Sequence, residues 1–297
     1  MRLIWKLLKD TFTEWNDDNA PRLGAALAFY SMLSLGPLLL LILTGTGFVF
    51  GEDAARGQII GQIEGLVGHE GASIIQQVLA STASTKGGIL ATLLGLATLL
   101  LGASGVFGQL QEAMNAVWNV APKKGGGFKK LIMRRFFSFT MVIGTGFLLL
   151  ISLVVSAGLA AMGQFSLGFL PGAAFLWQVV NQLVGFGVIT GLFAILFKYV
   201  PDARIEWRDV WIGAAITAAL FTVGKLAIGL YLGHSAFSST YGAAGSLVVL
   251  LVWVYYSAQI MFFGAEFAQV YATYKGRAIK PRAGAVSVKP IENLHST

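Results

Sequence analysis

The sequence predicts an all-α polytopic membrane protein: a six-transmembrane-helix bundle with amphipathic interfacial helices. Three observations predict it. Charged residues make up 12% of the 297 positions, about half the share of roughly 25% that coats a soluble globule. Hydrophobic residues reach 56% and the mean hydropathy is +0.71. Six apolar stretches each exceed the ~20 residues that a helix rising ~1.5 Å per residue needs to cross a bilayer. They are placed at 23–50, 88–110, 136–163, 173–197, 210–232 and 242–268. None shows the alternation of a barrel strand.

The third observation is where the cations fall. The segment before the first stretch holds Arg2, Lys6, Lys9 and Arg22. The next connection, 51–87, holds only Arg56 and Lys86. The connection at 111–135 holds Lys123, Lys124, Lys129, Lys130, Arg134 and Arg135, and 164–172 holds none. Lys198, Arg204 and Arg208 follow, 233–241 again holds none, and the tail from 269 carries five. Alternate sides thus score 18 and 2, a bias that puts both termini in the cytoplasm. The expected location is a membrane, crossed several times. The expected partners are its lipids, with anionic headgroups at the cytoplasmic loops. A homo-oligomer is compatible with this reading. Nucleic acid is not expected, because no aromatic platforms interleave with the basic residues.

Residues 1–19 read as an amphipathic helix lying in the cytoplasmic interface, with Leu3, Ile4, Leu7, Leu8, Phe12 and Trp15 on one face. They do not read as a cleaved signal. Asn19-Ala20-Pro21 marks a break and a new helix start. The domain of six helices follows over 20–272. Within it the long connection at 51–87 carries helical spacing at Ile59, Ile60, Ile63, Leu66 and Val67, and again at Ile74, Ile75, Val78 and Leu79. Two short outer helices are expected there, either lining a vestibule or resting on lipid. The tail, 273–297, has Gly276, Pro281, Gly284 and Pro290 among bases and is expected to be disordered.

Several chemistries are excluded at the outset. With no cysteine there is no disulfide, thiolate nucleophile or iron–sulfur cluster. His69, His234 and His295 are scattered, with no paired spacing that would hold a metal. Gly224-Lys225 lacks the flanking residues of a phosphate loop, and Gly102, Gly105 and Gly108 lie inside an apolar stretch as packing glycines. No cofactor, metal or catalytic group is called for. Asp10, Glu14, Asp17, Asp18, Asp202, Glu206 and Asp209 alternate with bases and read as solvated or capping charges.

Polar residues inside the stretches carry more information, because lipid penalises them. Lys225 lies about 22 Å along its helix from the cytoplasmic start. It shares a face with Ala214, Ala218, Thr222 and Gly229. A lysine on small residues points to protein or a wet cavity, the alternative being a side chain that snorkels to the headgroups. Tyr255, Gln259, Glu266 and Gln269 form a polar stripe on the last stretch, expected to face the bundle interior. Tyr30 and Ser34 precede Gly36-Pro37, where a proline frees a carbonyl and kinks the helix. The expected substrate pathway is Lys225, Tyr255, Gln259, Tyr30, Ser34, Pro37 and Thr222. Glu266, near the inner end of its helix, is expected to latch Arg22 by an ion pair, with Glu112 competing for the same partner. Small residues recur at Ser152-Ser156-Ala160, Gly187-Gly191 and Gly242-Ser246, spacings that permit close helix packing.

Two segments carry a resemblance. The first runs from Arg22 through Tyr30 and Ser34 to Pro37. The second runs from Tyr241 through Trp253 and Tyr255 to Phe263-Gly-Ala-Glu266. Together they resemble the YihY/BrkB family of bacterial inner-membrane proteins, over about residues 10–275. The resemblance implies six helices and a long first outer loop. Members were once labelled ribonuclease BN, a label generally regarded as misassigned. Others are associated with serum resistance, and envelope-lipid transport has been suggested. The family supplies no catalytic site to carry over, and Lys225 lies outside the matched motifs. Three functions therefore stand: a transporter of a lipid or amphipathic anion, a non-transporting scaffold or envelope assembly factor, and a membrane-bound ribonuclease. The last needs clustered carboxylates or histidines for metal.

Overall fold

A computed structural model describes residues 2–34, 60, 73, 76, 105–123, 173–234 and 243–288. The chain is mostly helical. Helix α1 is Arg2–Asp17, α2 is helical over 20–34 and α3 over 105–117. Strand β1 is Val120–Pro122, α4 is Ala173–Tyr199, β2 is Ala203–Arg204 and α5 is Trp207–His234. Helix α6 is Ala243–Tyr274, β3 is Lys280–Pro281 and β4 is Ala285–Ser287. Three windows are long and apolar enough to cross a membrane: Gln182–Tyr199, Trp207–Ala227 and Val248–Tyr274. They fall within the fourth, fifth and sixth predicted stretches. Most of the first two stretches, the third, and most of the 51–87 connection lie outside the described residues.

Helix ends follow local chemistry. Asn19 takes φ 55° and Asn119 takes φ 51°, the left-handed conformation that asparagine tolerates just past a helix. The Asn19 N–H donates to the Asn16 carbonyl, and the Asn19 carbonyl accepts from Arg22 and Leu23, opening α2. Pro21 sits in that first turn, where a missing N–H costs nothing. At the far end of α6, Gly276 adopts φ 69°. Its N–H reaches the Thr273 carbonyl while the Arg277 N–H reaches Ala272. That pair of bonds is a Schellman motif, and glycine is the residue that enters it without a Cβ penalty.

The chain divides into two compact units. The first comprises Met1–Glu14, Met114–Thr222 and Phe263–Thr297, the second Trp15–Ala113 and Val223–Phe262. In the first, Leu7 of α1 is buried with Phe267 and Val270 of α6, and Ile212, Ile216 and Tyr271 pack around them. The predicted apolar face of α1 is therefore divided. Leu7 enters the protein, while Leu3, Ile4, Leu8 and Phe12 remain exposed. Gly213 lies against Ala268 and the Gly264 backbone, and Gly264 faces Thr217 so closely that no Cβ would fit. This is a small-residue crossing that lets two backbones approach.

Residues 273–288, expected to be disordered with the rest of the tail, are ordered; 289–297 lie outside the described residues. β4 pairs antiparallel with β1, Val120 opposite Ser287 and Pro122 opposite Ala285. β3 pairs with β2, Ala203 opposite Pro281 and Arg204 opposite Lys280. Further backbone bonds run from Arg282 to Asp202, from Lys123 to Gly284 and from Val288 to Asn119. Gly and Pro look like disorder in composition, yet here they serve turns and ribbon edges. Gly284 takes φ 93° between the two strands, and Pro281 stands in a two-stranded ribbon, which has no ladder beyond it to interrupt.

Candidate functional site

In the second unit the sequence-predicted polar residues of α6 meet α2. Gly24 is buried beneath the side chain of Gln259, with the Tyr255 ring beside it, and a Cβ at position 24 would collide with the Gln259 amide. Gln259 Nε2 donates to the Ala20 carbonyl at 3.4 Å. Nearly two turns of α2 later, the Tyr30 ring covers Gly105 of α3 with no room for a methyl between them. Tyr30 also meets Phe29 edge-on, the ring centres 5.9 Å apart, and stays 39% exposed. Ser34 is buried and donates to the Ser31 carbonyl.

Lys225 is half-buried, between exposed Val223 and Leu226 and beside Gly224, which is tightly covered by Tyr256 and Ile260. Ala214 and Ala218, lower on its predicted face, are wholly buried. Thr222 is half-buried and returns its hydroxyl to the Ala218 carbonyl at 2.8 Å. It belongs to the first unit and Lys225 to the second. Trp253 of the second matched segment is half-buried. Pro37 and Tyr241 lie outside the described residues.

The three latch residues differ in environment. Glu266 has no exposed surface, whereas Arg22 and Glu112 are exposed. Glu266 belongs to the first unit, and Arg22 and Glu112 to the second. Among the packing glycines, Gly105 is tightly covered, while among the described residues nothing approaches Gly108, Gly187 or Gly191.

The first unit contains a polar constellation that sequence reasoning missed. Asp209, read from the sequence as a solvated or capping charge, is 1% exposed. It sits in the first turn of α5, where the helix dipole favours a carboxylate. Arg277, delivered by the Schellman turn, meets it at 2.5 Å and lies over the Tyr271 ring, 5.7 Å from its centre. Asp202 is not a free surface charge either. Its carboxylate accepts from Asn115 Nδ2 at 3.1 Å while its own N–H donates to Asn115 Oδ1 at 2.7 Å. Arg282 donates to the Lys198 carbonyl at 2.6 Å and the Tyr199 carbonyl at 3.3 Å, satisfying the last turn of α4. Lys198 donates to the Ile205 carbonyl and lies 5.3 Å from the Trp207 ring centre.

Beside these groups opens a cleft of about 320 Å³, lined by Arg204, Glu206, Asp209, Arg277 and Lys280 among others. Tyr199, Trp207 and Trp211, all 40–48% exposed, line the same junction, Tyr199 edge-on to Trp207 and Trp207 tilted against Trp211. Exposed aromatics beside cations at the ends of apolar helices mark a membrane–water boundary. Beyond that boundary, Leu183, Val223 and Leu226 expose about two-thirds of their surface, as lipid-facing side chains do. Among the described residues, no group of three or more His, Asp or Glu lies close enough together to hold a metal.

Comparison with known proteins places these features in a family. A UPF0761 membrane protein of Verminephrobacter eiseniae is 29% identical, over 89% of this chain and 62% of its own length. A second, from Teredinibacter turnerae, is 26% identical over 92% of the chain and 61% of its own. The chain thus spans about three-fifths of those relatives. A protein of Bacillus subtilis named as ribonuclease-like, YfkH, is 24% identical over 87% of the chain and 92% of its own length. No solved structure matches. The family described as virulence factor BrkB matches residues 11–287, nearly the whole sequence, and the chain belongs to it.

Proposed function

We propose that the chain is a six-span protein of the bacterial inner membrane, with both termini cytoplasmic, that moves a lipid or amphipathic anion along a polar route within its helix bundle. The observation that carries the reading is the seating of Gln259 and Tyr255 on Gly24. That contact supports a polar route lined by Tyr255 and Gln259 against α2. Half-buried Lys225 supplies a cation to attract the anionic group, and Tyr30, Ser34, Thr222 and Pro37 extend the route. Membrane lipids are the partners, and a homo-oligomer fits the exposed apolar surface.

The test is flux of a fluorescent anionic lipid in proteoliposomes. Wild type should move it faster than empty vesicles, and Lys225→Met should slow it without loss of folded protein. Unchanged flux removes Lys225 from the route, and absence of wild-type flux removes transport. A second reading, a non-transporting scaffold, draws on the same contacts. Gly24 and Gly105 are covered so tightly that α2, α3 and α6 pack as a filled bundle there. The ribonuclease reading draws on one relative's name, and metal-dependent cleavage of RNA by pure protein, lost on Asp17→Asn, would revive it.

A further inference from the structure

Arg204 and Lys280 are direct partners across the β2–β3 ribbon, so both side chains leave it on the same side. Both are exposed, and both line the cleft at the foot of α5. Like charges directly opposed on a strand pair repel, and the ribbon has only two residues per strand to resist them. The other charges of the cleft do not relieve this. Asp209 is engaged with Arg277, which leaves exposed Glu206 as the one remaining acid beside two opposed cations.

We propose that this cleft binds a phosphate group, held between Arg204 and Lys280 with Arg277 behind them. A phosphate presents oxygens to a guanidinium fork and to an ammonium at once, and one negative charge balances the cleft. Two sources offer that chemistry: the headgroup of an anionic lipid or a free phosphate. The exposed Trp207 and Trp211, which begin three residues after Arg204, put the cleft at headgroup level and favour the lipid. The site lies at the opposite end of α5 from Lys225 and does not depend on transport.

The experiment uses the full chain in a neutral detergent, with thermal stabilisation and native mass spectrometry as readouts. The probes are phosphatidylglycerol, phosphatidylcholine and inorganic phosphate. Wild type should retain phosphatidylglycerol over phosphatidylcholine, and Arg204→Gln/Lys280→Gln should bind it at least tenfold more weakly. The control Lys6→Gln/Lys9→Gln removes the same charge from exposed positions on α1, outside the cleft lining, and should bind as wild type. If inorganic phosphate binds with the same dependence while phosphatidylglycerol does not, the site stands and its ligand is the soluble anion. Equal loss in the control, unchanged binding in the cleft variant, or wild-type binding of neither anionic probe overturns the proposal.

Discussion

Arg277→Ala should destabilise the protein more than Asp209→Ala, although each removes one half of the same ion pair. The side chain of Asp209 is 2% exposed and that of Arg277 is 22% exposed. Deleting the arginine strands a carboxylate with no route to water. Breaking a buried pair from one side costs about 3–5 kcal/mol, and partial access at Arg277 brings the expectation down to about 2–3 kcal/mol. Deleting the aspartate leaves a guanidinium that keeps its place over Tyr271 and reaches solvent along its exposed edge. That loss should be about 1–2 kcal/mol. The double variant has no stranded charge, so it should fall near the milder single variant. The coupling is then about 2 kcal/mol, roughly thirtyfold in the folding equilibrium. Replacing both residues by apolar ones of similar volume, Asp209→Leu/Arg277→Met, should recover most of the loss. The measurement is reversible unfolding in mixed micelles, followed by far-UV circular dichroism. Additivity within about 0.5 kcal/mol, or an Asp209→Ala variant weaker than Arg277→Ala, would refute the burial argument.

Gly264→Val should cost about 1–3 kcal/mol by overpacking, because Thr217 occupies the space a side chain needs and is itself buried, bonded to the Gly213 carbonyl. Gly187→Val, where nothing among the described residues is near, should stay within about 0.5 kcal/mol in the same titration. The chain has no cysteine, so Ser287→Cys gives a single label for topology. An impermeant maleimide should miss it in intact cells and modify it after permeabilisation. Labelling of intact cells would place the tail outside and reverse the orientation.

Unbroken apolar length made the membrane helices legible because lipid imposes one rule along their whole length. The predicted stretches 173–197, 210–232 and 242–268 match α4, α5 and α6 within a few residues at most ends, and the largest miss, at Tyr274, extends α6 by six. On the small-residue stripe Ala214 and Ala218 are wholly buried while Thr222 is half-buried, since small residues allow helices to pack closely. The same logic set Gln259 and Tyr255 toward protein. Glu266, on the same stripe, has no exposed surface. A face is a local property, but a partner depends on which distant helix arrives there.

That distinction explains why the Asp209 cluster escaped. An aspartate in the first turn of a helix is usually a solvated cap, and nothing near position 209 in the chain says otherwise. Its partner comes from beyond α6, in a segment whose glycines and prolines resembled a loose tail. One signal was available. Gly276 directly follows the last apolar residues of α6, where a glycine closes a Schellman turn and fixes the direction of the next residue. From that turn the path is determined: Arg277 is carried back to the start of α5, Lys280 and Pro281 pair with Ala203 and Arg204, and Arg282 caps α4. Each step satisfies a helix terminus that would otherwise expose unbonded carbonyls or a lone carboxylate at the boundary. The tail therefore ties the ends of three helices together. A cut after Tyr274 should loosen α4 and α5 at that junction before it disturbs the apolar contacts deeper in the bundle.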